Sequence, residues 1–486
     1  MRRATRKKSY KTVCWLWLSV AMCLMISGPS LAGKPVDPLP APALVAHIDL
    51  SSYSPKFYRP NVQIGDLNND GIRDFLIYSN SKLMRAFAYD GKNSLTLLWE
   101  HSFPNLPDPP IKYHYKYTIW DMDNDGRNEV IGPFASSSGY VEIRILDGET
   151  GAVEKSMQTT IPNPTSSDDI YEWRLYATVA NFRGLPTPQD VVFLTENDSY
   201  GEIYAYDNNL NLLWDTTGDT HQYIYAHFPW AYDIDADGKD ELIGTWVFDH
   251  DGTKLWKATH PSLDGYFYNH IDRAFAGDVD PSHPGLEILL SHENYHYRMF
   301  DPVGNLLREE AGGGDSKIVG VGAIDQSTAG FESIIWDNAF HGKVKLYSAT
   351  GVVLATLPRI LDGYTVDWDG DRQKRDDFFC PDDFGMLYNP YTAEAVYMKN
   401  YYDLDRYTPA DVTAQKIFAH MTDVWGDFRE DVVIVDEDEL LIYANTASTS
   451  YQHPSPWTIP AYRLRVANTE DDIHPERTFF DWQAQL

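Results

Sequence analysis

Short apolar runs recur along the chain, and most of them open directly out of an acidic turn. Phe75-Leu76-Ile77, Val130-Ile131, Leu242-Ile243, Ile288-Leu289-Leu290 and Val432-Val433-Ile434 each follow a cluster of Asp, Asn and Gly. Apolar segments of this length, bounded by turn residues, predict buried strands rather than helices. Hairpin signals lie between them: Tyr89-Asp90-Gly91 precedes Leu97-Leu98-Trp99, and Asp251-Gly252 precedes Leu255-Trp256. Long stretches of helical periodicity are missing, so the pattern predicts an all-β fold.

The acidic turns form a repeat. Three copies are sharp: Asp66-Leu67-Asn68-Asn69-Asp70-Gly71-Ile72-Arg73-Asp74, then Asp121 to Glu129, then Asp233 to Glu241. Looser copies start at Asn181, Asp278, Asp325, Asp367 and Asp423, giving eight copies between 42 and 60 residues apart. A four-stranded propeller blade takes roughly 40–50 residues. One copy per blade therefore predicts an eight-bladed β-propeller with calcium-binding inner loops, spanning residues 44–486 as one domain.

The chemistry of the turns supports the metal. Residues at positions 1, 3 and 5 converge, glycine at position 6 allows the sharp bend, and an acid at position 9 completes a cage of hard oxygens suited to Ca²⁺. The expected ligands are Asp66, Asn68, Asp70 and Asp74; Asp121, Asp123, Asp125 and Glu129; Asp233, Asp235, Asp237 and Glu241; and Asp278, Asp280 and Glu287. An EF-hand needs glutamate at position 12, where this chain has Ile77, Gly132 and Gly244. The alternative is a set of metal-free Asx turns.

A basic or imidazole residue stands six to eight positions ahead of every copy: Arg59, His114, Arg174, His227, His270, Lys317, Arg359 and Lys416. Equivalent positions of successive blades lie on a circle, so these residues are expected around the mouth of the central funnel. Cations gathered there make a local site for an anion, sugar carboxylates above all. Aromatic residues thread the same regions, among them Tyr225 and Trp230, as candidate platforms for sugar rings.

Composition narrows the partners. The chain of 486 residues carries a net charge of −31, which excludes nucleic acid. A basic run from Arg2 to Lys11, an apolar stretch from Val13 to Ile26 and the ending Ser30-Leu31-Ala32 make residues 1–32 a signal peptide; an uncleaved anchor is the alternative. Residues 33–43 read as a Pro-rich lead-in. A secreted or periplasmic monomer is expected, with no membrane attachment after cleavage. Cys14 and Cys23 leave with the signal, so Cys380 has no partner for an internal disulfide. Stability has to come from a core, from metals, or from both.

These motifs resemble the bacterial rhamnogalacturonan lyases, a family of calcium-rich eight-bladed propellers. The resemblance is carried by His227-Phe-Pro-Trp-Ala-Tyr-Asp233 through Gly238, by Phe248-Asp249-His250-Asp251-Gly252 and by His270-Ile271-Asp272. It continues through Gly277 to Glu287, Trp368 to Asp371, Gly426 to Glu430 and Tyr462-Arg463-Leu464. It departs at Lys317, where the family has an arginine, and at the family's N-terminal accessory segment. It implies a polysaccharide lyase acting by β-elimination on rhamnose–uronate linkages, with His227, His270 and Lys416 lining the cleft.

Elimination needs a cation on the uronate carboxylate, a base at C5 and an acid at the leaving oxygen. Arg174 or a funnel-side Ca²⁺ is the expected neutralising charge. His227 or Lys416 is the expected base and His270 or a tyrosine the acid, with His114 a further candidate. Arg59, Lys317, Arg359, Tyr225 and Trp230 are the expected substrate contacts. Rhamnogalacturonan I is the expected polymer and ulvan the alternative. Two rivals stand outside this class: a non-catalytic sugar-binding propeller, and a glycoside hydrolase with two opposed carboxylates.

Overall fold

The computed structural model describes residues 39–57, 60–79, 83–102, 114–163, 174–197, 200–217, 226, 228–258, 271–292, 296–311, 317–324, 329–336, 344–357, 364–372, 377–380, 386–389, 394–397, 418–436 and 438–469. These residues form eight antiparallel sheets. Six are plain four-strand meanders in sequence order, such as Pro60–Gly65, Asp74–Ser79, Leu83–Tyr89 and Leu95–Ser102. The third sheet gains a fifth strand, His114–Lys116, paired in parallel with Arg174–Ala180.

The eighth sheet is completed from the other end of the chain. Ala43–Asp49 pairs antiparallel with Glu439–Ala444, outside Asp431–Val435 and Phe418–Thr422. First strands of neighbouring sheets touch in succession, and Val366 and Trp368 share a core with Met421 and Val432 across the seventh and eighth sheets. The result is a closed β-propeller with the first strand of each sheet innermost.

Closure thus rests on the N-terminal strand and not on the tail after Thr446. The tail does something else. Its helix, Pro460–Asn468, reaches the innermost strands of four sheets. Thr422 Oγ1 and Tyr462 Oη share a hydrogen bond of 2.9 Å, and Gln63 donates to the Thr469 carbonyl at 3.0 Å. Thr118 donates to the Ala467 carbonyl at 2.7 Å, while Asn468 pairs with both the N–H and the carbonyl of Val179 at 2.9 Å. Only the inner side of the ring gives access to all four strands.

Neighbouring sheets are tied at their outer strands. Trp99, Trp214 and Trp256 donate their indole N–H to Gly148, His250 and Pro302, each in a hairpin of the next sheet. The glycine closing each turn is required for two reasons. Gly304 has φ +85°, and a Cβ there would lie 2.6 Å from the Trp256 ring. The apolar-Trp ending that marked a strand in the sequence is therefore also an inter-sheet dock.

Candidate functional site

Each acidic turn joins the innermost strand of a sheet to the second, so the turns share one end of the ring. Their first structural device is a latch. The acid that opens the second strand accepts the N–H of a residue at the start of its own turn. Asp74 takes Leu67 at 2.9 Å, Glu129 takes Met122 at 2.7 Å and Glu241 takes Ile234 at 2.9 Å. Asp190, Glu287, Glu332 and Asp431 do the same with Arg183, Val279, Ile324 and Val424. Position 9 was expected to serve only the metal.

The latch leaves a remainder in two turns. Asp121, Asp123 and Glu129 bring ligand oxygens within 4.8 Å of one another, and so do Asp233, Asp235 and Glu241. In the second group Glu241 Oε1 is buried with no hydrogen-bond partner. Burial, before all else, pushes the Glu129 and Glu241 carboxyls up to about 8, and the neighbouring aspartates push the same way. An oxygen-only set with an orphaned buried carboxylate oxygen fits a hard dication such as Ca²⁺. Asp125 and Asp237 stand beside these groups and brace the turns, each accepting the N–H two residues on at 2.8 Å.

Other turns dispose of their carboxylates internally. Asp74 is fully buried, and both of its oxygens accept backbone N–H groups, one from Leu67 and Asn68 and one from Tyr89 at 3.0 Å. Its carboxyl is pushed up to about 6, chiefly by burial. It acts as a latch where a ligand was expected. Asp66, Asn68 and Asp70 still converge through hydrogen bonds inside the turn. Asp280 is held by Ser282 and His283, and Glu287 Oε2 takes two N–H groups, while Asp278 is exposed.

Three turns contain a guanidinium that the sequence reasoning missed. Arg183 reaches Asp190 at 2.6 Å, Arg372 reaches Asp367 at 3.4 Å, and Arg429 pairs with Asp427. The signal was an arginine inside each of these three loose copies. A fourth cation, Lys239, donates to His250 Nε2 at 2.9 Å. Lysine has no acceptor, so His250 carries its proton on Nδ1 and donates it to Asp249 at 2.6 Å. Asp249 and His250 also lie within 4.8 Å of Glu241.

Three of the basic residues are described, and they fall at the opposite end, at strand entries. His114, Arg174 and Lys317 are the first residues of their strands. The parallel pairing sets His114 directly against Arg174 in register, bringing two expected site residues together through the backbone. Ala226 and Ile271, which adjoin His227 and His270 in sequence, form a second parallel bridge between sheets. Arg59, Tyr225, His227, His270, Arg359 and Lys416 themselves lie outside the described residues.

Two further groups at this end escaped the sequence reading. Lys116 is buried, with its ammonium 4.6 Å from the Phe228 ring, and His292 is buried opposite Ile271. Trp230 is a correction: it is 1 % exposed and packs edge-on against Phe228 in the core, so its faces are closed to a sugar. Tyr115 and Tyr117 are core residues for the same reason.

The described residues thus form a closed propeller with acidic turns at one end and basic strand entries at the other. Residues 195–480, more than half of the chain, match the model of the C-terminal domain of rhamnogalacturonan lyase family 11. The chain belongs to this family and is a polysaccharide lyase. It is 26 % identical to rhamnogalacturonan endolyase YesW of Bacillus subtilis (strain 168), over 86 % of this chain and 73 % of that protein. Identity to rhamnogalacturonan exolyase YesX of the same organism is also 26 %, over 88 % of this chain and 78 % of that protein. The solved rhamnogalacturonan lyase PL11 of Bacillus licheniformis shares the fold, with a TM-score of 0.63 and 23 % identity over 87 % of this chain and 78 % of that one.

Proposed function

We propose that this chain is an exported lyase that cleaves rhamnose–galacturonate linkages of rhamnogalacturonan I by β-elimination. The family match over residues 195–480 carries the proposal. The in-register pairing of His114 with Arg174 supports it by drawing two basic residues to the strand entries. The Arg174 guanidinium neutralises the uronate carboxylate, which makes the C5 proton removable. His227 or Lys416 takes that proton, the C5–H electrons form the C4–C5 double bond, and the C4–O bond breaks. His270 returns a proton to the leaving oxygen.

Calcium belongs to this proposal as a structural ion. Asp121, Asp123 and Glu129 hold one, and Asp233, Asp235 and Glu241 hold another. When bound, the ion supplies positive charge that pins a turn against its strand.

The test is ultraviolet absorbance of the conjugated unsaturated uronate, with purified protein in calcium offered rhamnogalacturonan I and ulvan separately. A rise with rhamnogalacturonan I is expected. A rise with ulvan alone renames the substrate, and binding without a rise means a sugar-binding propeller. His227→Ala is expected to abolish turnover with the thermal midpoint unchanged; full retained activity removes His227 from the mechanism.

A further inference from the structure

At the acidic-turn end of the ring, away from the strand entries, the first two sheets and the tail enclose a pocket of about 230 Å³. It is lined by two arginines from distant parts of the chain, Arg73 and Arg463. The guanidinium carbon of Arg73 sits over Trp457, 4.3 Å from the ring centroid, and among the described residues its carboxylate contact is Asp66 at 3.8 Å. Trp457 is fixed by its own hydrogen bond to the Asp423 carbonyl at 2.8 Å. Arg463 is exposed and makes no ion pair among the described residues. The two arginines that line this cavity repel each other, and an anion between them relieves that repulsion.

We infer that this pocket binds a single uronate residue of an acidic glycan, as an anchoring site separate from the cleavage site. The inference rests on the lyase reading for the identity of the glycan. The guanidiniums meet the sugar carboxylate. Asn69 and Asn124, both in the pocket wall, offer amides for hydroxyls, and Ile64 and Ile119 offer an apolar side to the ring. Asp66 also lines it, accepting a hydroxyl hydrogen and disfavouring a dianion such as phosphate. The volume lies below the roughly 300–1,000 Å³ of pockets for drug-sized ligands, so one sugar residue fits and a longer segment does not. Arg73 itself is held below the ordinary arginine range, by burial first; Arg463 pushes the same way and Asp66 and Asp423 oppose.

The experiment is fluorine NMR of the full chain labelled with fluorotryptophan, in calcium, with the Trp457 resonance assigned by its loss in Trp457→Phe. Galacturonate is expected to shift that resonance saturably, while galactose and phosphate at equal concentration leave it in place. Arg463→Ala is expected to weaken the response about tenfold or more, with the thermal midpoint unchanged. An unmoved resonance, an equal response to phosphate, or a response that survives Arg463→Ala overturns the proposal. If the resonance shifts as expected but no polymer is cleaved, the anchoring site stands and the lyase reading falls.

Discussion

The third and fourth sheets build the same turn with different residues at position 3. In the fourth, Asp233, Asp235 and Glu241 converge, and Glu241 keeps a buried oxygen with no partner. In the third, Arg183 stands at position 3 in place of an aspartate. Its guanidinium meets Asp190, which opens the next strand with a fully buried side chain. The latch from that acid to the start of the turn is kept in both. The turn is therefore held by backbone geometry first. On the proposed calcium reading, the residue at position 3 decides whether its charge is balanced from within the chain or from solution.

Three changes test this contrast. Arg183→Met has the largest expected effect, because it leaves a buried carboxylate without its cation. A loss of about 3 kcal/mol is expected, equal in calcium and in chelator, measured by urea unfolding. Asp235→Asn should lower stability by about 2 kcal/mol in saturating calcium and leave the chelated protein unchanged, because an ion that binds only the folded chain stabilises it by mass action. An equal loss in chelator would mean that the turn holds no cation, and the contrast would collapse. Glu241→Asp shortens the side chain by one methylene, toward the situation of Asp74, whose oxygens are both taken by backbone groups. A loss of about 1 kcal/mol confined to calcium-containing buffer is expected from thermal melts. A change of the same size after chelation would assign the effect to packing alone.

Much of this was legible from the residues. The spacing of Asp, Asn and Gly announced each turn, because nine residues suffice to set a local bend and its Asx contacts. The positive φ at Asn69, Asn124 and Ala236, all at position 4, belongs to that local geometry. The apolar runs announced the strands. The fate of Trp230 was not legible. An aromatic residue beside a basic one reads equally as sugar platform or as core, and only the packing of Phe228 against it closes the choice. The calcium set at Asp74 failed for a similar reason, since the competing donor, Tyr89, lies in a different strand.

The sequence by itself determined the repeat, the all-β character, the placement of acidic turns at one end of the inner strands, and the family. Those features depend on residues close together in the chain. Tertiary structure decided the rest. It chose Ala43–Asp49 as the strand that closes the ring and seated the tail helix against four inner strands. It also brought Arg73 and Arg463 to one pocket. In each case a charge, a strand edge or a hydrogen-bonding group is satisfied by a partner far away in sequence, and local spacing carries no record of which partner arrives.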